Sequence, residues 1–174
     1  MKRLLQVCAV TALVLGAPLA ASAQTAFADE DKLGLLSAGA LAGAELDTSN
    51  NWLLFGADAR IAVAHGLEIE PRFTYQPLPN AHIMQIDANV LKNLDLASPG
   101  HVRPFFGVGG TLRSLSVSQG AGDTKVGLNI VSGARFPLSS GAGYEPFLMT
   151  QYSIVRGQAN SYSVVVGASF HLGF

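Results

Sequence analysis

The chain has 174 residues, of which 49% are hydrophobic and only 13% charged, against roughly 25% charged in ordinary soluble domains. Eleven basic and twelve acidic residues give a formal net charge of −1 with no basic patch or charge run, so a nucleic-acid partner is not expected. Mean hydropathy is positive, +0.32, yet beyond the N-terminal leader no segment stays apolar long enough for a spanning helix; the best candidate, 33–44, carries Gly34, Gly39 and Gly43.

Lys2 and Arg3 precede an apolar stretch over 4–15, followed by Gly16, Ala17 and Pro18. Ala21-Ser22-Ala23 is a small-x-small cleavage site. Residues 1–23 therefore read as a secretory signal peptide, with Gln24 the first mature residue. An uncleaved anchor is the alternative, but the apolar run is shorter than the roughly 20 residues a spanning helix needs. The single cysteine, Cys8, leaves with the leader, so the mature chain, 24–174, forms no disulfide. Losing Lys2 and Arg3 also leaves nine basic residues against twelve acidic ones, a net charge of −3.

Residues 24–32 are a polar lead-in. Eight strand-like segments follow, at 33–45, 52–64, 67–76, 82–91, 102–114, 124–136, 144–155 and 162–174. The separators are rich in Gly, Pro, Asn, Asp and Ser, which supply the backbone angles of tight turns. The first strand is too rich in Ala and Gly for its faces to be assigned. In the second, Leu53, Phe55, Ala57, Ala59, Ile61 and Val63 alternate with Gly56, Asp58, Arg60 and Ala62. The third alternates most cleanly: Leu67, Ile69, Pro71, Phe73 and Tyr75 against Glu68, Glu70, Arg72, Thr74 and Gln76. The fourth sets Met84, Ile86, Ala88 and Val90 against Gln85, Asp87 and Asn89. The fifth sets Val102, Phe106, Val108 and Leu112 against Arg103, Gly107, Gly109 and Arg113. In the sixth, Val126, Leu128, Ile130 and Phe136 oppose Lys125, Gly127, Asn129 and Arg135. In the seventh, Leu148, Tyr152 and Ile154 oppose Glu145, Gln151 and Ser153. The eighth alternates without interruption from Tyr162 to Phe174, with Val164, Val166, Ala168, Phe170 and Leu172 between them on one face.

Period-two alternation over eight long, evenly spaced segments with no helical period predicts an all-β chain, an eight-stranded antiparallel up-and-down barrel. Alternation alone does not say which face is outside. Ionised residues in mid-strand, glycines on the polar face and near-cancelling charge favour a polar lumen and a lipid-facing apolar wall, that is, a transmembrane barrel. The expected lumen network is Asp58, Arg60, Glu68, Glu70, Arg72, Asp87, Arg103, Arg113, Lys125, Arg135 and Glu145, five carboxylates against six cations. Trp52, Tyr75, Tyr144, Tyr152 and Tyr162 lie near strand ends, as in an interfacial aromatic girdle.

With its signal peptide, its terminal Phe174 preceded by Leu172 and Phe170, and the segment Val102-Arg103-Pro104-Phe105-Phe106-Gly107-Val108-Gly109-Gly110, the chain resembles the small Gram-negative outer-membrane β-barrels of the OmpA-like and opacity-protein-like kind. The resemblance covers the whole mature chain. It implies an outer-membrane location, lipid as the surrounding partner, and the barrel-assembly machinery as a partner during insertion. Gly167, Phe170, Leu172 and Phe174 would carry the assembly signal. The loops near 46–51, 77–81, 115–123 and 156–161 are short for a family adhesin.

Ser169 and His171 share one face of the last strand, and Glu145 lies on the strand before it; some outer-membrane barrels that deacylate lipid use a His/Ser/Glu set. The resemblance does not extend to that motif, and no catalytic site is expected. His65, His82, His101 and His171 have no metal-ligand spacing, and no Gly-rich sequence opens a helix, so no metal or cofactor is expected. The predicted function is a monomeric structural or surface barrel without an open pore. The alternatives are a soluble periplasmic barrel binding an apolar ligand and a lipid-modifying outer-membrane enzyme.

Overall fold

Residues that alternate between two faces cannot bury both sides of an open sheet. Closing the sheet on itself gives one face an interior and leaves no unpaired edge. The computed structural model describes residues 34–46, 51–64, 66–94, 102–118, 122–138, 143–157 and 160–172. It contains β1 (Gly34–Leu46), β2 (Asn51–Ala64), β3 (Leu67–Leu78), β4 (Ala81–Asn93), β5 (Arg103–Val117), β6 (Asp123–Arg135), β7 (Tyr144–Val155) and β8 (Ser161–His171). Each strand pairs antiparallel with its neighbour in sequence, and β1 also pairs with β8, so the barrel is closed. The stretch expected to be a signal peptide, 1–23, and Phe174 lie outside the described residues.

The register shows the strand tilt. Following inward partners from Gly39 leads through Asp58, Arg72, Asp87, Thr111 and Gly127 to Val155. That path starts in the middle of β1 and ends on the last residue of β7, at the end of the barrel away from the termini. Shear of this kind is what closes eight strands around a lumen that side chains can fill.

Several strands run further than expected. β3 and β4 continue to Leu78 and from Ala81, because Pro79 and Asn80 alone make the turn. Asn80 takes a left-handed φ of 65° after Pro79, the type II arrangement with Pro at the first central position and a residue tolerant of positive φ at the second. β5 reaches Val117, which pairs with Ala81.

The unassigned faces of β1 are settled by its partners. Ser37 pairs with Arg60, Gly39 with Asp58 and Ser169, Leu41 with Gly56 and Gly167, and Glu45 with Ser163. From Ser37 on, past a bulge after Leu35, the odd positions face in, and the outer face is Ala38, Ala40, Ala42 and Ala44. Trp52 pairs with Glu45 and so falls on the inward register at the barrel mouth. It is not part of an outer aromatic girdle, because a one-residue change in register moves a side chain to the other face.

Inward glycines make room for large neighbours. A Cβ on Gly133 would stand 2.5 Å from Phe105 Cζ, and one on Gly167 would stand 2.7 Å from Phe147 Cε1. Gly167→Ala is therefore expected to cost about 1–3 kcal/mol through overpacking. Urea unfolding in lipid or detergent measures this. Gly110→Ala, which meets only a carbonyl oxygen 4.0 Å away, should be near neutral. Phe147→Leu should relieve part of the Gly167→Ala cost, the remainder coming from the Ala40 carbonyl oxygen 2.6 Å from the added Cβ.

Candidate functional site

The polarity of the molecule is inverted. Arg72 is 3% exposed and Asp87 1%, whereas Leu128 is 66% exposed, Ile86 56% and Phe73 43%. The charged faces of β2, β3 and β4 line the interior, and the aliphatic faces of the same strands form the outer wall.

The inward side chains form tiers. At the end where β1 begins and β8 finishes, Arg135 grips Glu68 with two hydrogen bonds, of 3.2 and 2.7 Å. Arg135 also donates to Asn93 at 2.6 Å, and its guanidinium lies 4.7 Å from the centre of the Phe105 ring. Beside it, Arg60 donates to Glu145 at 2.9 Å and, through Nε, to Ser37 at 2.7 Å. In the middle of the barrel, Arg72 pairs with Glu70 and donates to Gln151 at 2.6 Å. Asp87 there accepts from the amides of Gln85 and Asn129 at 2.9 Å and Gln151 at 3.3 Å. Towards the other mouth, Arg113 donates to Glu45 at 2.7 Å and Ser161 at 3.0 Å.

An apolar cluster lies between the terminal tier and the central one on all sides but β3, where Glu68, Glu70 and Arg72 follow one another. Leu41, Leu91, Phe105, Val131, Phe147, Met149 and Val165 are buried in one cluster with Leu54. On β4, β6, β7 and β8 the apolar residue stands closer to the termini than its polar neighbour: Leu91 beyond Asp87, Val131 beyond Asn129, Met149 before Gln151, Val165 beyond Ser163. Leu91 and Met149 are 0% exposed. Above this layer is a cavity of about 20 Å³, lined by Glu45, Arg72, Gln85, Asp87, Gln151 and Ser153 among others. A space of that size holds about one water molecule.

Nine of the eleven residues expected in the lumen lie there: Asp58, Arg60, Glu68, Glu70, Arg72, Asp87, Arg113, Arg135 and Glu145 are all buried. Arg103 and Lys125 do not. Arg103 is the first residue of β5 and is exposed at the terminal rim. Lys125 sits near the start of β6, its side chain 36% exposed, and pairs with Asp123 at 2.9 Å. Both have the inward parity, but the strands end before the lumen closes over them. Glu45 belongs to the network and was missed because β1 carries too little hydropathy contrast to show its faces. The interior ion set is thus four guanidinium groups and six carboxylates. Amides take the place of the missing cations, most clearly around Asp87.

Ser169 is 1% exposed and faces Glu145 across the β7–β8 pair, but Glu145 is engaged by Arg60. His171 ends β8 on the same inward register. Ser169 thus lies on the inner side of the wall, not on its apolar outer face. Of the residues expected to signal assembly, Gly167 accommodates Phe147, Phe170 is outward and 6.4 Å from Tyr144 between ring centres, and the Leu172 amide donates to the Leu36 carbonyl at 3.1 Å. His82 stacks obliquely on Tyr75, 5.6 Å between centroids; His65 and His101 lie outside the described residues. Among the described residues no group of three or more His, Cys, Asp or Glu is placed to hold a metal ion.

No protein-family model and no curated protein sequence matches the chain. Solved structures do. Neisserial surface protein A superposes with a TM-score of 0.62 at 15% identity, covering 79% of this chain and 96% of that one. The N-terminal β-barrel domain of Pseudomonas aeruginosa OprF gives 0.61 at 12% identity, covering 80% and 99%. The chain has the fold of the small outer-membrane barrels. Ail, the attachment invasion locus protein of Yersinia pestis, shares it with a TM-score of 0.57 at 12% identity, covering 82% and 99%. At these identities the likeness is one of architecture, carried by the alternation pattern and strand count.

Proposed function

We propose that this barrel is an integral outer-membrane protein with a structural or surface role, exported by its N-terminal signal peptide and inserted as a monomer by the barrel-assembly machinery. The observation that carries the reading is the outer wall. Val108 at 61% exposure, Val126 at 58% and Ile130 at 55% stand on adjacent strands beside Ile86, Leu112 and Leu128. A continuous apolar belt of this extent is unstable in water and stable against acyl chains. Strands of 11 to 15 residues, tilted, match the span of a bilayer. Outward hydroxyls pair across strands: Ser132 and Thr150 oxygens are 2.9 Å apart, and Thr124 donates to Ser114 at 3.2 Å.

A soluble barrel holding an apolar ligand needs the reverse arrangement, an apolar cavity within a polar wall. Conduction is disfavoured by the buried cluster of Leu91, Phe105, Val131, Phe147 and Met149, which fills much of the lumen's cross-section between the terminal and central tiers. The burial of Ser169 argues against lipid-modifying catalysis. The short connections at the mouth, 47–50, 79–80, 118–122 and 156–160, limit the surface available to a macromolecular receptor.

Expression in a Gram-negative host tests the proposal. The protein should fractionate with the outer membrane, resist extraction by mild anionic detergent, and migrate differently on SDS gels before and after boiling. In planar bilayers it should give no unit conductance. Recovery as a freely soluble periplasmic protein overturns the reading.

A further inference from the structure

Among the described residues, five buried side-chain atoms have no hydrogen-bond partner, and three of them belong to residues gathered around one backbone position. Asp58 Oδ1, Arg60 Nη2 and Ser169 Oγ are the three. Asp58 and Ser169 both pair with Gly39, one from β2 and the other from β8. Both oxygens crowd the point where a Gly39 Cβ would stand, with Ser169 Oγ at 3.1 Å and the Ala168 carbonyl oxygen at 2.9 Å from it. Arg60 extends from β2 past Ser37 on β1 to Glu145 on β7, and Glu145 is the cross-strand partner of Ser169. Its guanidinium therefore spans the same side of the lumen, between the neighbours of Gly39 on β1 and of Ser169 on β7, with Nε and Nη1 engaged and Nη2 unused.

Buried polar atoms without partners are rare, and three from residues this close in the register point to a shared ligand. The chemistry selects it. Asp58 Oδ1 requires a donor, Arg60 Nη2 requires an acceptor, and Ser169 Oγ can serve as either. A cation is repelled by the guanidinium and an anion by the carboxylate. The smallest neutral molecule that both donates and accepts is water. We propose that one ordered water molecule is built into the lumen against Gly39, accepting from Arg60 Nη2, donating to Asp58 Oδ1 and bonded to Ser169 Oγ. It ties β2 to β8 across the face of β1, where the strand has no side chain to do so.

Water-selective NOE and ROE spectra of the refolded full chain test this. The wild type should show long-lived water cross-peaks at the Gly39 and Ser169 amides. Ser169→Val, which removes one partner and fills the space, should lose them, whereas Ser132→Val on the outer wall should keep them. Cross-peaks absent in the wild type, or surviving in Ser169→Val, overturn the proposal. Should Ser169→Val fail to fold, a crystal structure of the wild type that resolves ordered water decides alone. Density within hydrogen-bonding distance of all three atoms supports the site; direct bonding of the three atoms to one another, with no density, overturns it.

Discussion

Ile130→Arg should lower the stability of the bilayer-inserted barrel by about 2–4 kcal/mol, the penalty for a cationic side chain near the middle of the lipid face of a β-barrel. Ile130 lies at the middle of β6, pairs with Val108 and is 55% exposed. In a water-soluble protein, an arginine at a half-exposed position would change stability by no more than about 0.5 kcal/mol. The measured penalty therefore reports the surrounding phase directly. Urea unfolding of the refolded protein in lipid vesicles, with Ile130→Ala as the reference for lost packing, gives the number. A companion substitution nearer the rim, Leu138→Arg, should cost about 0–1 kcal/mol, since the penalty falls towards the interface. Equal and negligible costs at both positions would mean the apolar wall is not in lipid.

Most of this architecture was legible because a strand has a period of two and a barrel has only two faces. On β3, five apolar residues alternate with Glu68, Glu70, Arg72, Thr74 and Gln76, so one glance assigns every side chain, and the structure agrees at each position. β1 failed the same test for a physical reason: Ala and Gly occupy both faces, so there is no contrast to read. Its inward residues, Ser37, Leu41 and Glu45, emerge only from pairing with β2 and β8. The apolar layer was also illegible. Leu91, Val131, Met149 and Val165 carry the parity of the polar face, and nothing in one strand shows that these residues meet those of its neighbours at one depth. Arg103 and Lys125 failed differently: parity says in or out, but not whether the wall extends far enough to cover a residue at a strand end.

Arg135→Met is expected to be among the most damaging single changes in the lumen, costing about 3–5 kcal/mol, because it leaves a buried charge without its partner. Glu68 is 6% exposed and relies on Arg135 for two of its hydrogen bonds, keeping only the one from Asn93 at 2.8 Å. The loss does not measure the worth of the ion pair. Two charges taken out of water cost several kcal/mol each, and their mutual attraction returns roughly that amount. The double variant Glu68→Gln/Arg135→Met should therefore recover most of the loss, since the glutamine amide is neutral and Met fills the space over Phe105. A double-mutant cycle by urea unfolding, with Glu68→Gln as the second single variant, isolates the coupling. If the double variant is as unstable as the sum of the singles, the pair is not coupled, and the terminal tier is held by packing of Phe105, Leu91 and Phe147 instead. Strong coupling with recovery makes the charge network a device for fixing register, in which a slipped strand strands a buried ion.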